Sequence, residues 1–177
     1  MNEYTIKDLE KLLGLNIKHN AVVMGFDTAS RTGWCRIETD EDICSIDYGV
    51  VDIESKDMYY KFNRFIEVVG DLVFKQPDIV VIEETFLKLN ARVFQFLSRL
   101  GGILYAVCYL NKVSNIYFLS AIAARAKLNL PSKAKKEEVH KEFLKRFKKI
   151  KIKDIDVIDA IILALCGISE NAKLIKD

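Results

Sequence analysis

The chain is poor in the features that mark a zinc site, a disulfide framework, a secretory leader or a membrane span. It has four cysteines, Cys35, Cys44, Cys108 and Cys166, but no Cys-x-x-Cys pair, and its two histidines, His19 and His140, lie far from them in sequence. That spacing supplies no ligand set for zinc. A chain of 177 residues, 50% of them hydrophobic, can build a core without disulfides, so the thiols are expected to stay reduced. No stretch approaches the roughly 18 continuous apolar residues of a membrane span. The opening MNEYTIKDLEKLL breaks its apolar residues with acids, unlike a secretory leader. A soluble, intracellular protein with no membrane partner is expected. No glycine-rich loop is present to cradle a nucleotide's phosphates, which argues against an actin-like ATP-binding fold and against a small-molecule cofactor. Neither histidine has a serine or cysteine motif beside it, so covalent hydrolase chemistry has little support. Internal repeats and low-complexity linkers are also missing.

Net charge is only +2, but its distribution is uneven. Residues 133–153 hold ten Lys/Arg against three acids, a local charge of +7, which leaves the remainder at −5. One anion-facing surface beside a more acidic body is expected.

Apolar periodicity divides the chain into an N-terminal helical appendage (1–20), a domain (21–168) and a polar tail (169–177). In the appendage Ile6, Leu9, Leu12 and Leu13 recur at helical spacing and Gly14 ends the helix. The domain opens with a buried strand, Ala21 to Asp27, followed by strands over Gly33–Glu38 and Ser45–Ile53 that form an antiparallel meander. Tyr59, Phe62, Ile66, Val69 and Val73 mark one helix face. The run Ile79-Val-Val-Ile82, bounded by Pro77-Asp78 and Glu83-Glu84, reads as a central parallel strand. A helix over 91–110 is apolar on more than one face and therefore needs two partners. A fifth strand spans Asn115–Leu119. After it come a short helix at 121–127 capped by Ser120, a basic helix near 134–148 and a final helix from about 154 to 167. The order predicts an α/β fold: a mixed five-stranded sheet, its first three strands antiparallel, with helices on both faces.

Four acids occupy telling places. Asp27 ends the first strand of the domain and Glu83 ends the fourth, so the two emerge side by side if those strands are neighbours. Asp156 and Asp159 are three apart in the last helix and share a face. Asp159 lies among Val157, Ile158, Ala160, Ile161 and Ile162, an expensive place for a bare charge. Taken singly, each acid is an ordinary turn, strand-end or helix-start residue. Gathered together they would repel one another unless a divalent cation joined them, and an all-oxygen set suits Mg²⁺ or Mn²⁺.

These segments carry a resemblance. MGFDTASRTGW resembles the opening strand and turn of the RuvC family of Holliday-junction resolvases, VIEETFLKLN resembles its second motif, and DVIDAIILA its closing D-x-x-D-A motif. The similarity spans about residues 21–168. It implies an RNase H-like fold and a metal-dependent endonuclease acting on four-way or otherwise branched DNA. Asp27, Glu83, Asp156 and Asp159 would be catalytic and would hold two Mg²⁺, with Mn²⁺ as a substitute. Phe86 would be the aromatic that wedges into the junction, and cleavage would leave 5′-phosphate and 3′-hydroxyl ends. Where the family often has Pro-Gly after the first Asp, this chain has Thr28-Ala29. Glu84 is an additional acid that could substitute or assist, and the N-terminal twenty residues have no counterpart in the usual bacterial form. The lysine-rich composition and this extension suggest a phage or mobile-element relative, at work in its host's cytoplasm.

The resemblance also implies DNA contacts from the basic region. Lys136 aligns best with a family lysine, with Lys135 beside it, and either Lys127 or Arg125 matches an earlier one. Lys133, Lys135 and Lys136 fall at a helix start, where the dipole disfavours cations, so facing phosphate explains them better than stability does. His140 is expected on that helix's surface. A homodimer with helix 91–110 at its interface would supply the two sites that symmetric nicking needs. An RNase H-fold nuclease acting on RNA, and a branched-DNA-binding protein without catalysis, remain open at this stage.

Overall fold

The computed structural model describes residues 2–86 and 90–169. In chain order the elements are β1 (Asn2–Thr5), α1 (Ile6–Leu13), β2 (Ala21–Asp27), β3 (Arg31–Thr39), β4 (Ile43–Asp52), α2 (Met58–Val73), β5 (Ile79–Glu83), α3 (Ala91–Leu110), β6 (Asn115–Leu119), α4 (Ala121–Lys127), α5 (Lys136–Arg146) and α6 (Ile155–Ile168). They form one mixed sheet in the order β1-β4-β3-β2-β5-β6. The pairs on the β1 side of β2 are antiparallel, and β2-β5 and β5-β6 are parallel.

The sheet has six strands where periodicity predicts five. The addition is β1, which pairs with the open edge of β4 from Asn2↔Ile46 to Thr5↔Ile43. Four residues are too few to display an alternation of their own. Tyr4 is the anchor: its side chain is buried and its ring meets Phe147 edge-on at 6.3 Å. Thr5 then caps α1 by accepting from the Asp8 amide, and Gly14, with φ of 68°, ends it. Leu9 and Leu13 pack that helix into the core.

Alternation along the central strands separates two apolar layers. Val23, Ile79 and Val81 face α6, which is covered in turn by α4 and α5, while α1 lies beside it against β1 and β4. Met24, Phe26, Val80 and Ile82 face α2 and α3. Each such fully buried side chain stabilises the fold by roughly 1.5–3 kcal/mol. The buried face of α2 runs through Phe65, Val69 and Val73 rather than through Tyr59 and Ile66, which are exposed. Tyr59 lies in the first turn, beyond the covering layer, and Ile66 falls one position off the stripe.

The tail assigned to 169–177 lies outside the described residues apart from Ser169, which forms a bridge with Ile17. All four cysteines are free and buried. By length and composition α3 is also long and apolar enough to cross a membrane, with a mean hydropathy of 1.4 over an 18-residue window that is only 22% buried.

Candidate active site

Strand register places the first two acids. β2 and β5 run parallel with Phe26 beside Ile82, so Asp27 and Glu83 leave the same sheet edge in the next row, about 4.8 Å apart across neighbouring strands. The other two arrive on α6. That helix can lie directly on the sheet because two positions beneath it have no side chain. A Cβ at Gly33 would overlap the backbone of Asp156 and Val157, and one at Gly25 would overlap the backbone of Ala160 and Ala164. Asp154 caps the helix by accepting from the amides of Asp156 and Val157, and it pairs with Arg31 at the start of β3. The first turn of α6 is thus fixed against the β2–β3 turn.

Lys136 completes the cluster. Its ammonium lies 2.7 Å from Asp159 Oδ2 and 3.6 Å from both Asp27 Oδ2 and Asp156 Oδ1. This accounts for a lysine at a helix start: it answers three carboxylates instead of opposing a dipole alone. Asp27 and Asp159 are buried, whereas the side chain of Asp156 is 26% exposed. Burial, then a hydrogen bond with Glu83 and the charge of that residue, push the Asp27 carboxyl up to about 10, so it holds a proton and donates it to Glu83. Burial works to lower the pKa of Lys136, but the surrounding Asp159, Asp27 and Asp156 outweigh it and raise that pKa.

The donor set fits a divalent cation. It is made of hard oxygens, and it already draws the Lys136 ammonium to its centre. Among the described residues no three or more His, Cys, Asp or Glu side chains are arranged to hold an ion as they stand. The place between Asp27, Asp156 and Asp159 is where the Lys136 ammonium sits.

A cavity of about 520 Å³ opens over the cluster, lined by Asp27, Glu83 and Asp156 on one side and by Val93, Phe94 and Leu97 of α3 on another. Phe86 lies at its rim, 55% exposed, and Glu84 also reaches it. Of the residues singled out from sequence, Asp27, Glu83, Asp156, Asp159 and Lys136 converge here. Lys135 is exposed at the start of α5 beside them. Lys127 is elsewhere: it acts on Cys166, which is ten residues, or about 15 Å, along α6 from Asp156.

Two further residues reach the cluster from behind: His140, and Arg125, which the sequence offers only as an alternative to Lys127 for a DNA contact. His140 is buried, not on the helix surface as expected, and its Nε2 lies 3.0 Å from Asp159 Oδ1. Arg125 is buried too and reaches the same oxygen at 3.4 Å. The available signal for His140 was spacing, since Lys136, Val139, His140 and Phe143 fall on one helical face.

A family model for the crossover junction endodeoxyribonuclease RuvC matches residues 23–167. The crossover junction endodeoxyribonuclease RuvC of Caldicellulosiruptor saccharolyticus is 26% identical over 159 residues, 86% of this chain and 95% of that protein. The structure of T. thermophilus RuvC in complex with Holliday junction substrate superposes with a TM-score of 0.67 at 18% identity, covering 82% of this chain and 90% of that one. The yeast mitochondrial Holliday junction resolvase Ydc2 gives a TM-score of 0.56 at 15% identity, covering 89% and 81%. At these identities the two structures establish likeness of fold.

Proposed function

The chain belongs to the RuvC family of crossover junction endodeoxyribonucleases, and from that premise we propose that it resolves four-way DNA junctions at the Asp27, Glu83, Asp156 and Asp159 cluster. The observation that carries this reading is that Asp27, Asp156 and Asp159 surround one cation, the Lys136 ammonium, with Glu83 beside Asp27 and the cleft opening over Asp27, Glu83 and Asp156. These four residues would hold two Mg²⁺ per site, with Mn²⁺ able to substitute. Such ions supply a nucleophile at neutral pH and neutralise the charge that develops on the phosphodiester. Hydrolysis would leave a 5′-phosphate and a 3′-hydroxyl.

The chain's own groups set the rest. Burial and Glu83 keep the Asp27 carboxyl protonated, and that proton would have to leave before Asp27 could serve as a ligand. Lys136 competes with a divalent ion for the same carboxylates, and once displaced it stands at the cleft mouth with Lys135, where a strand's phosphates would lie. Phe86, exposed at the rim, has a face free to stack on a base left unpaired at the branch point. Lys127, at the end of α4 and near Cys166 in the far part of α6, would contact a more distant part of a duplex arm.

Two nicks in opposed strands require two sites, which a two-fold dimer provides. Support for α3 as the contact comes from its outward stripe of Gly102, Tyr105, Ala106, Tyr109 and Leu110, extended by Phe118 stacked on Tyr105 at 6.1 Å. An enzyme of this kind works where DNA is, inside the cell.

The test is incubation with four-way, Y-shaped, duplex and RNA/DNA hybrid substrates in Mg²⁺ and in Mn²⁺. Paired nicks in the four-way substrate alone are expected. Preferential cutting of the hybrid would assign the site to RNA, and junction binding without cutting would leave a binding protein.

A further inference from the structure

The two oxygens of Asp159 are used differently. Oδ2 meets Lys136 Nζ at 2.7 Å, at the point that Asp27 and Asp156 also approach. Oδ1 is taken by His140 Nε2 at 3.0 Å and Arg125 Nη2 at 3.4 Å. The terminal torsion of a carboxylate is soft and roughly two-fold, so a chain of Val157, Ile158 and Ala160 around it does not by itself choose which oxygen faces the cation. A directional donor on one oxygen does.

His140 is placed for that task and for little else. It is 4% exposed and lies one turn after Lys136 on α5, between Val139 and Phe143, which face the core. Among the described residues its Nδ1 is buried with no partner. Nε2 is thus the ring nitrogen that meets the carboxylate, and toward an oxygen of that kind it acts as the donor. An apolar side chain would fill the same position without an orphaned nitrogen. The hydrogen bond to Asp159 is the polar contact that accounts for an imidazole here. Burial raises the Asp159 carboxyl, but the hydrogen bond from His140, followed by the charge and hydrogen bond of Lys136, outweighs it and holds the group below the usual carboxylate range.

We infer that His140 is a positioning residue for the metal site: its Nε2–H holds Asp159 Oδ1, so that Oδ2 is presented to the cation shared with Asp27 and Asp156. This rests on the metal-site reading above. Partners that orient a ligand from behind typically change metal affinity by about 10–100-fold when removed. The role is therefore read in metal binding and not in cleavage alone.

The experiment is calorimetric titration of Mn²⁺ into the full-length protein without DNA, for wild type, His140→Leu, His140→Gln and Asp159→Asn. His140→Leu should bind Mn²⁺ about 10–100-fold more weakly. His140→Gln, which keeps an N–H donor of similar reach, should recover most of that loss. In junction cleavage, His140→Leu should need correspondingly more Mg²⁺ while approaching the wild-type rate at saturation. If Asp159→Asn loses affinity but both His140 variants bind as wild type does, the positioning role is wrong. Circular dichroism tells whether His140→Leu folds. If it does not, His140→Gln against the shorter His140→Asn decides, and equal Mn²⁺ affinity in those two overturns the inference. Wild-type protein that takes up no Mn²⁺ at all sinks the metal-site reading itself, and this inference with it.

Discussion

Replacing Asp27 with Asn should make the metal-free protein more stable even as it destroys cleavage. Asp27 is buried beside Glu83 and Asp159, and its carboxyl is pushed up to about 10 by burial first and by Glu83 next. In the unfolded chain the same group titrates near 3.9. Between those values the folded state holds a proton that the unfolded state releases, so stability falls as pH rises from about 4 towards 10. The slope is at most about 1.4 kcal/mol per pH unit, which sets a ceiling of about 4 kcal/mol at pH 7. Asn needs no proton and can still donate to Glu83, but Lys136 loses one of its anions. Allowing about half the ceiling, Asp27→Asn should gain roughly 2 kcal/mol at pH 7, or about 4–8 °C in Tm for a chain of this size. The assay is thermal unfolding by circular dichroism in EDTA at several pH values between 5 and 8, repeated with MgCl₂. The advantage of the variant should widen with pH. Added Mg²⁺ should reverse it, since ligand at 100 times Kd adds about 2.7 kcal/mol only to a protein that binds it. A variant that melts at or below wild type in EDTA, with a gap insensitive to pH, would refute the reasoning.

Asp27→Asn, Glu83→Gln, Asp156→Asn and Asp159→Asn should each abolish junction cleavage while preserving junction binding in Ca²⁺ buffer, and Glu84→Gln should cost far less; two of the four cutting at the wild-type rate would dissolve the quartet. Lys135→Ala with Lys136→Ala should weaken DNA binding and reduce its log–log salt slope by roughly 0.9 per lost phosphate contact. An unchanged slope in gel-shift titrations would mean that neither lysine contacts phosphate, leaving Lys135 on the solvated surface and Lys136 to its carboxylates alone. Phe86→Ala should lower junction cleavage more than duplex binding, because stacking is worth about 1–3 kcal/mol per base at a branch point and an unbroken duplex offers no gap. With Phe86 55% exposed its melting temperature should barely move, and a large drop would make the residue part of the core.

The site was legible where chemistry coincides with period. An apolar run that stops at Asp27, another that stops at Glu83, and two aspartates three apart in an otherwise apolar helix are local patterns, and the sheet and α6 assemble them as the pattern requires. The rest depends on packing between elements distant in sequence. His140 sits in a segment so rich in lysine that it reads as solvated, yet Val139 and Phe143 turn its face inward. The place of Lys136 among three carboxylates stays hidden because nothing local reveals that α5 begins beside the first turn of α6. Arg125 and Lys127 are two apart on one short helix and point to different neighbours, Asp159 and Cys166, a choice that sequence offset alone left open. β1 is held by a partner strand some forty residues away and by Phe147, neither of which a four-residue stretch announces.

The seating of α6 on bare backbone has a mechanical consequence. Two of the helix's contacts with the sheet are backbone on backbone, one beneath Asp156 and Val157 and one beneath Ala160 and Ala164, and a third close approach lies at Gly167 over Val23 and Val81. A methyl group at Gly33 would tip the first turn away from β3 and carry Asp156 off with it, while Asp159, tethered from behind by His140 and Arg125, would lag. A methyl group at Gly25 lies nearer the middle and would lift both aspartates away from Asp27 together. The distance between Asp27 and the aspartates of α6 is thus gauged in part by contact between backbones, which cannot relax by changing rotamer, and two residues that touch no carboxylate help to keep it.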